Sequence, residues 1–535
     1  MSAPPLTFWR KPLAAAALAT LADQLLYGHG FGSALGVFAL AWTLTLALAR
    51  PAVRRDRRAL FALAIAALFA LVLIDRPGLV AWSLFGIALG AAALLPRTGR
   101  FDDVWRWAQR LIVQAFAGIW APLGDLGRLR RVERLSGRRA PRPTALLGVL
   151  ALPLVGGAVF LTLFAAANPI IADLLGRVRL PSPDLLRWIF WASVGVAVWA
   201  TLRPRSKRRL LPLPGGGAPG PLPGVTVASV ALSLILFNAL FAVQNGLDLA
   251  FLWSGAGLPE GVTLAEYAHR GAYPLIATAL LAGLFVLVAL RPSSDTAANP
   301  LCRRLVVLWV VQNMFLVASS ILRTLDYVEA YSLTRLRLAA LVWMVLVAVG
   351  LALICWRLLR GKSGAWLINA NALTAALALA SVSVVDLGAV AAHWNVRNAR
   401  EAGGRGTQLD FCYLNQLDGG ALTALAQLET RPGEPGFKAR VTAVRGAVQR
   451  RVEARQADWR EWTWRDARRL AAARALVGDA PAPSRMLCDG APEPVAVAAP
   501  TTPASSAREY YGPRELVDAP ETAVSPAPLT SEAQP

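Results

Sequence analysis

Residues 59–74 read ALFALAIAALFALVLI, and Asp75, Arg76, Pro77 and Gly78 separate them from a second apolar run at 79–95. A bilayer core about 30 Å thick takes around 17 to 25 apolar residues per helix. The first run is short but wholly apolar, and four turn-forming residues between two such runs describe a helical hairpin. Neither run shows the alternation of a membrane β-strand. Working outward, nine further stretches qualify, at about 12–28, 31–49, 145–167, 185–201, 225–247, 274–290, 305–322, 338–356 and 366–388. The expected fold is therefore all-α, a polytopic membrane bundle of about eleven transmembrane helices. Arg10 and Lys11 before LAAAALATLA look like the start of a signal peptide. No convincing small-residue cleavage site precedes Asp23 and Gln24, so an uncleaved first helix is expected.

Composition agrees with that reading. Of 535 residues, 56% are hydrophobic and only 16% charged, yet the formal net charge is +22. A nucleic-acid-binding protein can be equally basic, but rarely at a mean hydropathy of +0.47; no nucleic-acid partner is expected. The basic residues sit in alternate connections. With the N-terminus cytoplasmic, the inner segments hold 29 Lys and Arg, among them eleven Arg between 96 and 144, against 7 in the outer connections. The positive-inside rule favours this arrangement, and with eleven spans the C-terminus lies outside.

The expected organisation is four N-terminal helices (1–95), a cytoplasmic basic and interfacial segment (96–144), a seven-helix membrane core (145–394), a soluble helical region (395–478) and a disordered Pro/Ala-rich tail (479–535). In 96–144, Trp105, Trp107 and Trp120 accompany Arg106, Arg110, Leu111, Ile112 and Phe116 in a pattern suited to a helix lying in the membrane interface. The following Arg-rich run, Arg128 to Arg142, faces anionic lipid head groups in that arrangement.

Generic catalytic patterns are missing from the sequence: no H-E-x-x-H, no G-x-S-x-G and no Walker A motif. A formal G-x-G-x-x-G at Gly215, Gly217 and Gly220 lies in a Pro-interrupted linker and is no dinucleotide fingerprint. No cofactor and no metal site is expected. The four cysteines show no C-x-x-C spacing. An outer C-terminal region puts Cys412 and Cys488 in an oxidising compartment, which predicts a disulfide between them. The pairs Gly32/Gly36 and Gly86/Gly90 suit close helix packing.

Polar residues within spans are costly in lipid and mark partners or water. Asn238, Asn245 and Asp248 fall on one face of a helix, at steps of seven and three. Two readings stand: a water-filled pocket open to the outside, or hydrogen bonds that fix packing. Two outer segments are rich in functional groups. Residues 258–275 carry Glu260, Glu266, Tyr267, His269 and Arg270; residues 319–344 carry Arg323, Asp326, Tyr327, Glu329, Tyr331, Arg335 and Arg337. Carboxylates, tyrosines, an imidazole and guanidiniums on one side suit an anionic head group or acid–base work. They equally suit a mutually neutralising network. The candidate ligand site is Asn245, Asp248, Glu260, Glu266, Tyr267, His269, Arg270, Asp326, Glu329, Tyr331 and Arg335.

The segment LPEGVTLAEYAHRGAYPL (258–275), the stretch AYSLTRLRL from Ala330, AANPI at 166–170 and DWREWTWRDARRLAAARAL at 458–476 resemble a bacterial multi-pass membrane family, domain of unknown function 4173, related to the 4153-type membrane domains. The first matches the family's LPEG-x-T-x-x-EYAR-x-GF pattern at Leu258, Pro259, Glu260, Gly261, Thr263, Glu266, Tyr267, Ala268 and Gly271, departing at His269 and Ala272. The second has Ser332 where glycine is usual. The resemblance spans roughly 145–476 and implies a membrane protein without an assigned activity, so no catalytic residue is carried over. The expected protein senses, transports or maintains something in the envelope, with membrane lipids as partners, anionic ones at the cytoplasmic face, and an envelope protein as a further candidate. The alternatives are a lipid- or glycan-modifying enzyme with Glu266 or His269 as base, and a non-catalytic assembly protein.

Overall fold

The computed structural model describes residues 7–99, 101–125, 184–205, 210–212, 226–254, 295–481 and 486–491, with positions 127, 156, 278, 281 and 285. Helices α1 (Thr7–Leu26), α2 (Ser33–Ala49), the short α3 (Pro51–Arg55), α4 (Arg57–Asp75) and α5 (Leu79–Thr98) pack on one apolar core. Asp56 caps α4 by accepting from the amides of Arg58 and Ala59, and Gly99 ends α5 in the left-handed conformation. The 75–78 turn joins α4 to α5 as an antiparallel hairpin. Gly36 permits the close α2–α4 approach: a Cβ there would lie 2.5 Å from Ile74. Gly86, by contrast, faces open space.

The amphipathic α6 (Val104–Ile119) buries Trp107, Gln114 and Gly118 and leaves Ile112, Phe116 and Ile119 exposed. It touches the ends of three spans, with Val104 N donating to Asn369 Oδ1 at 2.9 Å and Gln114 reaching the Ala200 carbonyl. α7 (Leu185–Leu202) packs on α1; α8 (Val227–Asp248) continues into a π-helical turn, Leu249–Trp253. α9 (Pro300–Tyr331), α10 (Arg335–Arg360) and α11 (Gly364–Val384) follow. The chain then forms a helical cap of α12 (Leu387–Asn398), α13 (Phe411–Gln416), α14 (Gly419–Glu429), α15 (Pro435–Ala457) and α16 (Trp464–Val477). Its core centres on fully buried Leu414, Leu422, Leu425, Val448 and Val452.

Seven helices among the described residues are long and apolar enough to cross a membrane: α4, α5, α7, α8 with its π turn, α9, α10 and α11. The sequence leads to eleven, and the difference has particular causes. Arg10, Lys11 and Asp23 place three charges in α1, and α2 has only 17 residues. Apart from positions 156, 278, 281 and 285, the stretches 145–167 and 274–290 lie outside the described residues, as do Arg128 to Arg142 and the tail beyond residue 491. The architecture is an all-α, polytopic membrane protein with a helical region after the last span.

The cap seats on one set of span ends. Gly30 N donates to Glu461 Oε1 at 2.9 Å, and Ser33 N to the Trp462 carbonyl at 2.7 Å. Arg465 and Arg468 bind Asp75, Arg469 binds Asp386, and Leu333 N donates to Asn395 Oδ1. Connections 27–33, 75–78, 331–335 and 384–387 therefore share one face, the capped face. Arginines collect at the other ends: Arg50 donates to the Ala93 carbonyl, Arg58 to that of Gly99, Arg97 to that of Pro204, and Arg203 and Arg205 pair with Asp125.

Candidate functional site

The capped face holds a seam of ion pairs between spans and cap. The hairpin turn presents Asp75, and the last span ends at Asp386, which also caps α12 by accepting from Gly388 N at 2.9 Å. The sequence WRDARR places Arg465, Arg468 and Arg469 on one face of the first turns of α16, three and four residues apart. Arg465 grips Asp75 Oδ2 at 2.5 and 2.9 Å and the Val384 carbonyl at 2.7 Å. Arg469 meets Asp386 Oδ2 at 2.7 Å and Asp466 Oδ1 at 3.2 Å. Arg76 approaches Asp386 from the hairpin at 3.7 Å. Burial alone would raise the Asp386 carboxyl; the hydrogen bond from Arg469 and the charges of Arg76 and Arg469 outweigh it and hold it at about 2. Burial lowers the Arg76 guanidinium; Asp386 opposes that, while Arg465, Arg335 and Arg469 add to it. Above the seam lies a shallow cavity of about 330 Å³ lined by Thr423, Arg465, Arg468, Arg469 and Ala472. Thr423 Oγ1 is 3.4 Å from His393 Nε2.

A second polar set lies between α8 and α9. Asn238 Nδ2 donates to the carbonyls of Leu234 and Leu305, and its Oδ1 accepts from Gln312 at 2.8 Å. Asn245 donates to the Gln312 carbonyl at 3.2 Å. Asp248, 1% exposed, accepts from Arg323 and from Gln244. The residues expected on one face of α8 thus bond to α9, which is the packing arrangement. Four buried oxygens at this interface, Asn245 Oδ1, Asp248 Oδ2, Gln312 Oε1 and Asn313 Oδ1, meet no donor among the described residues.

The structure divides the sequence candidates. Asn245 and Asp248 belong to the α8–α9 interface. Asp326, Glu329 and Tyr331 lie on the last turns of α9, beyond Arg323; eight residues separate 323 from 331, about 12 Å along a helix. Tyr331 gives its carbonyl to Arg337, whose guanidinium lies 4.3 Å over the Tyr327 ring. Arg335 turns to the cap: its amide donates to Tyr413 Oη at 2.7 Å and its guanidinium to the Leu417 carbonyl at 3.1 Å. Glu260, Glu266, Tyr267, His269 and Arg270 lie outside the described residues. Cys412 and Cys488 are joined as a disulfide, with Cα atoms 4.8 Å apart. Among the described residues no group of three His, Cys, Asp or Glu is placed to hold a metal.

Sequence reasoning did not select Asp75, Asp386, Arg465, Arg468 and Arg469 together. The available signals were the acid in the hairpin turn, the acid at the end of the last span and the arginine spacing in 464–469. Nothing in the sequence ties residue 75 to residue 465.

Spans, arginine-rich ends and cap define a multi-pass α-helical membrane protein. The chain belongs to the family described as domain of unknown function DUF4153, which it matches over residues 59–428. The expected family, domain of unknown function 4173, is thereby corrected: the match is to the related 4153 family, and it begins at the hairpin rather than at residue 145. No curated protein and no solved structure matches the chain.

Proposed function

We propose that the chain is a bacterial inner-membrane protein with its N-terminus in the cytoplasm, its cap on the outer face and a polar binding site there, serving ligand or lipid sensing, transport or envelope maintenance. One observation carries this reading: the cap covers connections 27–33, 75–78, 331–335 and 384–387, which together hold two arginines, Arg76 and Arg335, while the arginine-rich ends lie opposite. By the positive-inside rule the arginine-rich face is cytoplasmic. There α6 lies in the interface with its exposed apolar side toward lipid, and the sequence's arginine-rich run from Arg128 to Arg142 supplies the charge for anionic head groups.

Two parallel pairs support eleven crossings. α5 and α7 both end at the arginine-rich face, where Arg50 donates to the carbonyls of Ala93 and Thr201. α8 and α9 also run in parallel, as Asn238 with Leu305 and Asn245 with Gln312 show. Consecutive spans in one direction need a return crossing between them, and the sequence supplies 145–167 and 274–290. With α1 and α2 the total is eleven, and the C-terminus lies outside.

Reporter fusions at residues 215, 295 and 400 test the reading. Activity of a cytoplasmic reporter at 215 and 295, and of a periplasmic reporter at 400, is expected. The opposite pattern at 400 overturns it.

A further inference from the structure

The cavity over the seam is formed by two helices of the cap. Its wall is the first two turns of α16, with Arg465, Arg468 and Arg469 on one side and Thr423 of α14 on the other. Arg465 and Arg469 are 13% and 14% exposed and are held by Asp75, Asp386 and Asp466. Those contacts fix their position and make them a rigid positive floor. Arg468 differs: it is 65% exposed and tied to Asp75 Oδ1 by one contact of 3.2 Å. Swinging it toward a ligand sacrifices only one exposed, weak ion pair.

The charge at the seam does not balance. Arg76, Arg465, Arg468 and Arg469 face Asp75, Asp386 and Asp466, and Arg335, packed against Gly388, adds a fifth cation. Cations crowd one another there, and an anion relieves the crowding. Guanidinium forks match phosphate oxygens in pairs, and a threonine hydroxyl supplies a further donor.

Position selects the source of the anion. The floor of the cavity rests on Asp75, the last residue of α4, and on the carbonyl of Val384, the last residue of α11. It therefore lies level with the ends of two spans. Trp464, the residue before Arg465, and Trp459 in the turn ahead of α16 are both exposed, as aromatic side chains are at the headgroup level of a bilayer.

We propose that this cavity binds a phosphate group presented at the membrane surface, the headgroup phosphate of an anionic or lipid-linked molecule, with Arg468 as the movable clamp and Thr423 as the second donor. The proposal names the ligand class for the outer site above and rests on that reading only for which side of the membrane is served.

The test uses the full chain in nanodiscs of phosphatidylcholine alone or with phosphatidylglycerol, and in detergent with inorganic phosphate. Retained lipid is read by native mass spectrometry and phosphate by isothermal titration. Retention of phosphatidylglycerol over phosphatidylcholine is expected, at least tenfold reduced in Arg468→Ala, with an unchanged unfolding temperature. Thr423→Val, which removes only the hydroxyl, is expected to reduce retention several-fold and serves if Arg468→Ala fails to fold. Binding of inorganic phosphate with no lipid preference reassigns the source to free phosphate and overturns the headgroup assignment. Wild-type retention in both variants overturns the site. Detergent binding is blind to sidedness: loss of binding in the variants with a cytoplasmic residue 400 breaks only the orientation, and unaltered binding with the expected reporters breaks only the site.

Discussion

Asp248 with Arg323, and Asp75 and Asp386 with Arg465, Arg468 and Arg469, are built from the same two kinds of side chain. The first pair lies between two spans, with Asp248 1% and Arg323 8% exposed on their side chains. The second set joins spans to cap, and its members range from 8% to 65% exposed. Between spans no water stands ready to take over from a lost partner, so neither member is dispensable. At the seam each acid has more than one cation, and solvent reaches the outer edge. The interhelical pair fixes how α8 and α9 meet; the seam has spare cationic capacity, which is what a binding site requires.

The largest effect is expected from Arg323→Ala, which strands a buried carboxylate. A loss of about 3–5 kcal/mol should appear in unfolding of the full chain in mixed micelles. The double variant Asp248→Asn with Arg323→Gln should recover much of it. A loss below about 1 kcal/mol would place the pair in a hydrated setting and erase the contrast with the seam.

Cutting the link between Cys412 and Cys488 acts on the cap alone. The disulfide closes 76 residues, and Cys412→Ser is expected to cost about 2–4 kcal/mol, read as a lower unfolding temperature of the cap with the spans unaffected. Non-reducing peptide mapping of native membranes should recover the linked peptide; two free thiols would count against both the bridge and an outer cap.

Asp386 tests the seam by pH. Its carboxyl is held at about 2 against an ordinary 3.8. The stability from its ion pairs is therefore complete above that ordinary value and is lost as pH falls through about 2, an amount of about 2 kcal/mol. Asp386→Asn keeps the α12 cap and removes the charge, so its unfolding temperature should lie below wild type at neutral pH and converge with it near pH 2. A constant difference would show that the charge is not what matters.

Ser332, at the junction of α9 and α10, gives the smallest effect. Its backbone has φ 67° and ψ 165°, a region that glycine alone enters without strain. Ser332→Gly should therefore raise stability by about 1 kcal/mol, even though it removes the 2.9 Å contact to Thr407.

Parts of this arrangement were legible in the residues themselves. The register of Asn238, Asn245 and Asp248 already placed them on one face of α8. The alternation of apolar and arginine-rich segments already separated the two ends of the bundle. The seam was not legible, because an arginine at 465 and an aspartate at 75 carry no local sign of each other. Nor was the direction of Arg335, which was grouped with Asp248 on the ground of sidedness and instead turns to Tyr413 and Leu417 in the cap.

The sequence by itself determined that this chain is a helical membrane protein and which span ends are arginine-rich, because hydropathy and charge act residue by residue through the solvent each segment prefers. Only the tertiary structure decided which connection meets which, that Asp248 is answered by Arg323, and that three arginines of α16 pair with Asp75 and Asp386. Those facts depend on contacts between residues more than 400 positions apart, such as the 431 between Gly30 and Glu461, which local preference does not encode.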